Sequence, residues 1–248
     1  MVASCGVDRP VGGGPGRLRP AAQPAEDGQL TARPGHPGAM TPRTTGVHQL
    51  DLDEGGRALL YVPVDHDPRR ASPLAVMLHG AGGSAEDGLG ILRGLADGAG
   101  LLLVAPQSNG RTWDLLIDGY GPDVALVDQA LGQVFAGHAV DPAHLAVGGF
   151  SDGASYALSL GAMNGELFSH VIAFSPGFWA PGSTEGSPSF FVTHGTDDQI
   201  LPIGSTSRRL VPKLEAAGYP VSYHEFTGGH VVPGELAAEA VRWFVGSR

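Results

Sequence analysis

A serine sits in the run Gly149-Phe150-Ser151-Asp152-Gly153, after the apolar stretch Leu145-Ala146-Val147-Gly148 and before residues 154–163, which read as a helix. Small residues two positions to either side allow the backbone to turn sharply. The hydroxyl is then lifted clear of the strand end, with a helix N-terminus behind it. The five-residue pattern alone carries little weight in a chain of 39 glycines. Its position between a strand and a helix adds weight, and so do two loops downstream. His194-Gly195-Thr196-Asp197-Asp198 follows a predicted strand at 190–193, and Gly228-Gly229-His230 follows another at 221–226. A serine hydroxyl is a poor nucleophile at neutral pH and needs a base within hydrogen-bond reach. An imidazole suits that task, and a carboxylate can fix its tautomer and stabilise its protonated form. Ser151 is therefore the candidate nucleophile, and His230 the candidate general base and then acid. Asp197 and Asp198 are rival candidates for the orienting carboxylate, and spacing alone does not separate them. His224 is a poorer base because it falls inside the 221–226 strand.

Acyl transfer also needs backbone N–H groups aimed at the charge that develops on the carbonyl oxygen, each worth about 10²–10³ in rate. One candidate is the N–H of Asp152, immediately after the serine. The other belongs to the glycine-rich turn His79-Gly80-Ala81-Gly82-Gly83, with Ala81 the expected donor. His79 is expected to tie that turn by hydrogen bonds. The turn is no phosphate loop, since no Gly-Lys-Ser/Thr ending follows it. Trp113, Phe178 and Trp179 are candidate apolar walls for a substrate.

These groups must be placed by a scaffold, and the chain supplies one. The apolar runs at 74–78, 101–105, 145–150, 171–174, 190–193 and 221–226 do not alternate strictly, as a parallel sheet covered on both faces requires. Residues 57–62 alternate enough for an early antiparallel strand. Helical candidates at 85–99, 123–137, 153–163, 205–217 and 234–245 lie between the strands, with Asp141-Pro142 and Tyr219-Pro220 as breaks. Alternating strands and helices predict an α/β protein: a mostly parallel central sheet with helices on both faces and right-handed crossovers. Functional groups then gather beyond the carboxyl ends of the strands. Residues 176–188, between two predicted strands, leave no room for a lid domain.

Composition divides the chain near residue 46. Residues 1–46 are rich in Gly and Pro, carry a slight excess of arginine and lack periodicity, so a disordered tail is expected there. Residues 47–248 are expected to form the catalytic domain. Met40, close to that boundary, is a plausible true start. A formal charge of −10 argues against nucleic-acid binding and against docking on anionic membranes. The single cysteine, Cys5, excludes an intramolecular disulfide and a cysteine-based metal cluster. No apolar stretch approaches the roughly 18–20 residues that span a bilayer, and no signal-peptide core is visible, so a cytoplasmic protein is expected. Neither a metal nor a cofactor is implied. The oligomeric state is left open.

Taken together, these motifs resemble the α/β-hydrolase fold, and more narrowly the phospholipase/carboxylesterase group of small serine esterases. The resemblance covers about residues 58–244. It rests on His79-Gly80-Ala81-Gly82 as the oxyanion turn, Gly149 to Gly153 as the nucleophile turn, and Gly228-Gly229-His230 as the histidine turn. The group's acid lies in His-Gly-x-x-Asp with a proline four residues on. That pattern matches Asp198 and Pro202, and selects Asp198 over Asp197. The chain departs from many relatives in having Asp152 where they carry Gln, which would disfavour anionic substrates. The resemblance implies a serine carboxylesterase acting on short, largely neutral esters as small-molecule substrates. Thioesterase, feruloyl-esterase or polyester-esterase chemistry would use the same residues, and a non-catalytic binding protein on this fold is the rival from another class.

Overall fold

Strands and helices alternate along most of the computed structural model, which describes residues 24–35, 44–116 and 119–246. In chain order they are β1 (Gly46–Asp51), β2 (Arg57–Val62), β3 (Ser72–Leu78), α1 (Ala85–Gly90), α2 (Arg93–Ala99), β4 (Leu102–Pro106), α3 (Pro122–Gly137) and β5 (Val140–Phe150). Then follow α4 (Asp152–Met163), β6 (His170–Phe174), β7 (Ser189–Gly195), α5 (Ser207–Ala216), β8 (Val221–Phe226) and α6 (Gly234–Gly246). Among the described residues the strands form one sheet in the order β1-β2-β4-β3-β5-β6-β7-β8. β2 runs antiparallel to both β1 and β4, and every other neighbouring pair is parallel.

The two-residue period of a strand divides the core into two layers. On β3, Leu74, Val76 and Leu78 join the cluster under α3, α4 and α5. Ala75 and Met77, between them, join the cluster under α1, α2 and α6. A sheet clad on both faces explains the unbroken apolar runs of its central strands.

Three local readings are refined by the fold. Residues 85–99 form two helices, α1 and α2. A Cβ on Gly88 would stand 2.6 Å from the Met77 carbonyl oxygen, so α1 lies directly on β3 and ends within two residues of that contact. The Asp141-Pro142 break falls inside β5. There Ser72 pairs with Val140, and the regular β3–β5 ladder resumes only at Leu74 and Leu145. β1 begins at Gly46, the edge of the segment expected to be a tail.

Residues 24–35 correct that expectation more strongly. Pro24–Asp27 form a 3-10 helix, and Leu30 is buried in the larger core cluster. The N–H of Leu30 donates to Asn164 Oδ1 at 2.8 Å, and the Asn164 amide donates back to the Gly28 carbonyl at 2.9 Å. The N–H groups of Thr31 and Ala32 both donate to Asp128 Oδ1, at 2.7 and 2.8 Å. This segment has no helix or strand period because side chains of α3 and the α4 C-cap satisfy its backbone, and composition does not record such partners. A cavity of about 410 Å³ lies beside it, lined by Glu26, Asp53, Tyr120 and Gln129 among others, and by none of residues 151, 198 and 230. The remainder of the expected tail, with Met40 and Cys5, lies outside the described residues.

The segment should therefore stabilise the domain. Leu30→Ala is expected to cost about 2–3 kcal/mol, as for other buried leucines, and removal of residues 1–35 should lower the melting temperature. An unchanged denaturant midpoint in both variants would show that the segment does not pack in solution.

Candidate active site

Ser151 ends the β5–α4 turn. It has φ 58° and ψ −118°, a backbone region that residues with a side chain rarely adopt. The glycines around it explain how the turn is held. A Cβ on Gly149 would lie 2.6 Å from the Leu78 carbonyl oxygen, and one on Gly153 would overlap the carbonyl oxygens of Leu78 and His79. Only hydrogen at both positions lets the turn press on the end of β3. The N–H of Ser151 donates to the Phe174 carbonyl at 2.9 Å, which anchors the turn to β6 as well.

β7 and β8 deliver the other two groups. Asp198 lies three residues past β7, with its side chain fully buried, and His230 follows β8 in the loop that leads into α6. Gly195 allows these loops to touch, since a Cβ there would overlap the carbonyl oxygens of Gly228 and Gly229. The N–H of Asp197 donates to the Gly228 carbonyl at 2.9 Å, which locks the two loops together.

The side chains meet in a line. His230 Nδ1 lies 2.6 Å from Asp198 Oδ2, and His230 Nε2 lies 2.9 Å from Ser151 Oγ. A carboxylate only accepts, so Nδ1 carries the hydrogen and Nε2 is free to accept from the hydroxyl. The Phe150 ring packs against the imidazole, 4.6 Å between centroids. Asp198 Oδ1 accepts from the N–H groups of Ile200 at 2.9 Å and Leu201 at 2.8 Å. Burial opposes ionisation of Asp198, but the Leu201 N–H, His230 and the Ile200 N–H outweigh it and hold the carboxyl below its ordinary value. Asp197 is exposed, and of the two rivals it is Asp198 that the imidazole meets.

The glycine-rich turn after β3 stands against the serine. A Cβ on Gly80 would lie 3.4 Å from Ser151 Cβ. His79 has the tying part expected of it: its Nε2 accepts from the Ser108 N–H at 3.2 Å, and its Nδ1–H donates to the Gly80 carbonyl at 2.8 Å. Gly82 donates its N–H to the Arg111 carbonyl at 2.7 Å. Among the described residues no acceptor takes the N–H of Ala81 or of Asp152, the two expected oxyanion donors. The Asp152 side chain is held to one side by the Thr112 hydroxyl, which donates to Oδ2 at 2.8 Å.

The three aromatic candidates fare differently. Trp113 is 0% exposed, so it forms no substrate wall. Its Nε1–H donates to the His79 carbonyl at 2.9 Å and its ring lies tilted against those of His79 and Tyr156, supporting the glycine-rich turn. Trp179 is half-buried and packs edge-on to Tyr219 and against the larger core cluster. Phe178 is half-buried in the β6–β7 loop. That loop hangs from α4, because Ser155 Oγ and Ser159 Oγ accept the N–H groups of Gly177 and Ala180 at 2.8 and 3.0 Å. Sequence reasoning missed both serines; the four-residue steps from Ser151 to Ser155 to Ser159 were the available signal.

Among the described residues no helix is long and apolar enough to cross a membrane. No group of three or more His, Cys, Asp or Glu among them is placed to hold a metal ion.

A family model described as phospholipase/carboxylesterase matches residues 124–242, which hold the serine, the acid and the histidine. No curated protein sequence matches the chain. Solved structures of similar fold include esterase PE8, 23% identical over 81% of this chain and 98% of that one, with a TM-score of 0.59. The Bacillus cereus carboxylesterase is 18% identical over 77% and 94% of the two chains, with a TM-score of 0.59. A CE1 ferulic acid esterase from Anaeromyces mucronatus is 17% identical over 88% and 97%, with a TM-score of 0.62. At these identities the likeness establishes the fold.

The contact between His230 and Asp198 makes a sharp prediction. Asp198→Asn should lower kcat for any substrate of this site by about 10³–10⁴, because the imidazole loses its tautomer and its counter-charge. Asp197→Asn should leave kcat nearly unchanged. The reverse ranking, read from steady-state kinetics, would transfer the role to Asp197.

Proposed function

We infer that this chain, an α/β-hydrolase of the phospholipase/carboxylesterase group and hence a carboxylic ester hydrolase, cleaves short, largely neutral esters through an acyl-enzyme on Ser151. The observation that carries this reading is the unbroken line Ser151 Oγ, His230 Nε2, His230 Nδ1, Asp198 Oδ2, with spacings of 2.9 and 2.6 Å. In the first step Ser151 Oγ attacks the carbonyl carbon while its proton passes to His230 Nε2. The oxygen that gains charge is received by the N–H groups of Ala81 and Asp152. The intermediate collapses, the bond to the alcohol oxygen breaks, and the alcohol leaves with the proton from His230. Water then attacks the acyl-enzyme by the same route, releasing the acid and restoring the serine.

Preference for neutral esters follows from the surroundings. The Asp152 carboxylate adjoins the nucleophile and repels a substrate anion at close range. Ile200 and Val231, which are 69% and 51% exposed, flank the acid and the base and offer apolar contact to an acyl or alcohol group. Among the described residues the β6–β7 loop holds no helix. The site is therefore read as open, and activity as independent of a lipid interface.

A fluorophosphonate probe tests the reading directly. Stoichiometric labelling of Ser151 is expected, and absence of labelling in folded protein would instead favour a binding protein. Ser151→Ala should lower kcat by about 10⁴–10⁶ without changing the circular dichroism. A series of p-nitrophenyl esters should show turnover falling as the acyl chain lengthens. A preference for long-chain, thioester or feruloyl substrates would sink the short-ester assignment while leaving the serine mechanism in place.

A further inference from the structure

Asp198 has two imidazole neighbours. Besides His230, His194 at the end of β7 places its Nε2 at 3.2 Å from the same carboxylate oxygen, Oδ2. The other contacts of His194 suit one tautomer. Nε2 lies 2.7 Å from the Leu201 carbonyl oxygen, which only accepts, so this nitrogen carries a hydrogen. Nδ1 lies 2.7 Å from Ser207 Oγ and can take that hydroxyl's hydrogen. A neutral ring meets both contacts, and its side chain is wholly buried. Burial pushes the imidazole's pKa down and outweighs the Leu201 carbonyl and Asp198, which push it up.

We propose that His194 is a positioning residue for the Ser151–His230–Asp198 relay: its Nε2–H, shared between the Leu201 carbonyl and Asp198 Oδ2, fixes the carboxylate and limits the negative charge that Asp198 lends to His230. The inference rests on reading those three residues as one relay. The same hydrogen ties the carboxylate to the loop that carries Ile200 and Leu201, whose N–H groups hold Oδ1. His194 thus closes a ring of donors around one buried anion, all of them neutral except for the imidazole that becomes charged in the reaction.

The sign of its effect follows from electrostatics. A hydrogen-bond donor on a carboxylate lowers its basicity. With the donor removed, Asp198 holds the protonated form of His230 more strongly, and the base is free only at higher pH. Other charged or titratable groups on the surrounding elements have separate partners. Glu225 on β8 pairs with Arg208 on α5 at 2.7 Å, His224 on β8 bonds Ser222 Oγ at 2.9 Å, Asp152 on α4 accepts from Thr112, and His79 is spent on Gly80 and Ser108. Asp197, on the same loop as Asp198, is exposed. None of these side chains bonds the Asp198 carboxylate among the described residues.

His194→Leu removes the donor, and His194→Gln restores an N–H₂ at the reach of Nε2. With kcat/KM measured against pH on a neutral p-nitrophenyl ester, the Leu variant should move the acid limb upward by about 0.5–1 pH unit, and the Gln variant should retain the wild-type limb. An unmoved or lowered limb in the Leu variant, or the same rise in both variants, would overturn the proposal. Should the Leu variant fail to fold, ¹⁵N NMR of the wild-type protein decides. A neutral Nε2–H tautomer of residue 194 at neutral pH supports the proposal, and an Nδ1–H tautomer or a protonated ring overturns it. Fluorophosphonate labelling of Ser151 tests the relay by itself. Labelled protein whose pH profile ignores residue 194 would remove this inference alone.

Discussion

At the crossing of β5, α4 and the end of β3, backbone meets backbone with no side chain between. The carbonyl oxygens of Leu78 and His79 lie against Gly149 and Gly153, and a methyl group at either glycine would have to push β3 off the turn. Ser151 keeps its unusual backbone angles because this contact and the hydrogen bond to Phe174 leave it no alternative. Holding a non-glycine residue there costs on the order of 1–3 kcal/mol, which the surrounding sheet supplies. The same contact fixes the distance between the hydroxyl and the glycine-rich turn, because that turn begins at His79. Trp113 then clamps the His79 carbonyl from below. Ser151 and the glycine-rich turn are therefore held against one another, as the proposed acyl transfer requires.

The acid and the base reach this body by a second close approach. Parallel strands finish at one edge of the sheet, so loops far apart in sequence emerge as neighbours. β7 and β8 are paired to their ends, with Gly195 opposite Phe226. Beyond that pair the lack of a side chain on Gly195 lets the histidine loop fold back over the acid loop. The separation of His230 from Asp198 is set there, by backbone contact, and does not depend on long side chains finding each other.

Much of this was legible in the sequence, and what was not has physical reasons. Glycines at 149, 153 and 195 stand beside the reactive types, and each marks a place where backbones must approach. Apolar runs without alternation announced a sheet covered on both faces, which the two core layers explain. The split of residues 85–99 was hidden because Gly88 contacts β3, and that contact is tertiary. Residues 24–35 were read as disordered because their backbone partners are the side chains of Asp128 and Asn164, about 100 or more residues distant in sequence. Trp113 was placed in the substrate site because a loop tryptophan near a strand end has two uses, and only burial separates them. His194 was visible as half of a His-Gly pair, but its approach to Asp198 depends on how the following loop curls back.

Among the described residues the carboxylate at the centre of the site has no lysine or arginine partner, and that fits the task proposed for it. Asp198 accepts hydrogens from Ile200, Leu201 and His230, and His194 Nε2 stands 3.2 Å from Oδ2. An arginine in place of any one would neutralise the anion permanently, since a guanidinium never releases its charge at working pH. The carboxylate would then have little left for the imidazole when the serine proton arrives. Neutral donors orient the group and offset its loss of water, yet leave its charge to act when, in the proposed mechanism, His230 becomes positive. In a buried site that late attraction is worth far more than it would be in water. The balance must also hold from the other side, because a carboxylate with too few donors would capture a proton on the imidazole before any substrate was bound. The shared hydrogen of His194 lies on that balance, which is why a residue that touches no substrate can set the pH at which the serine is attacked.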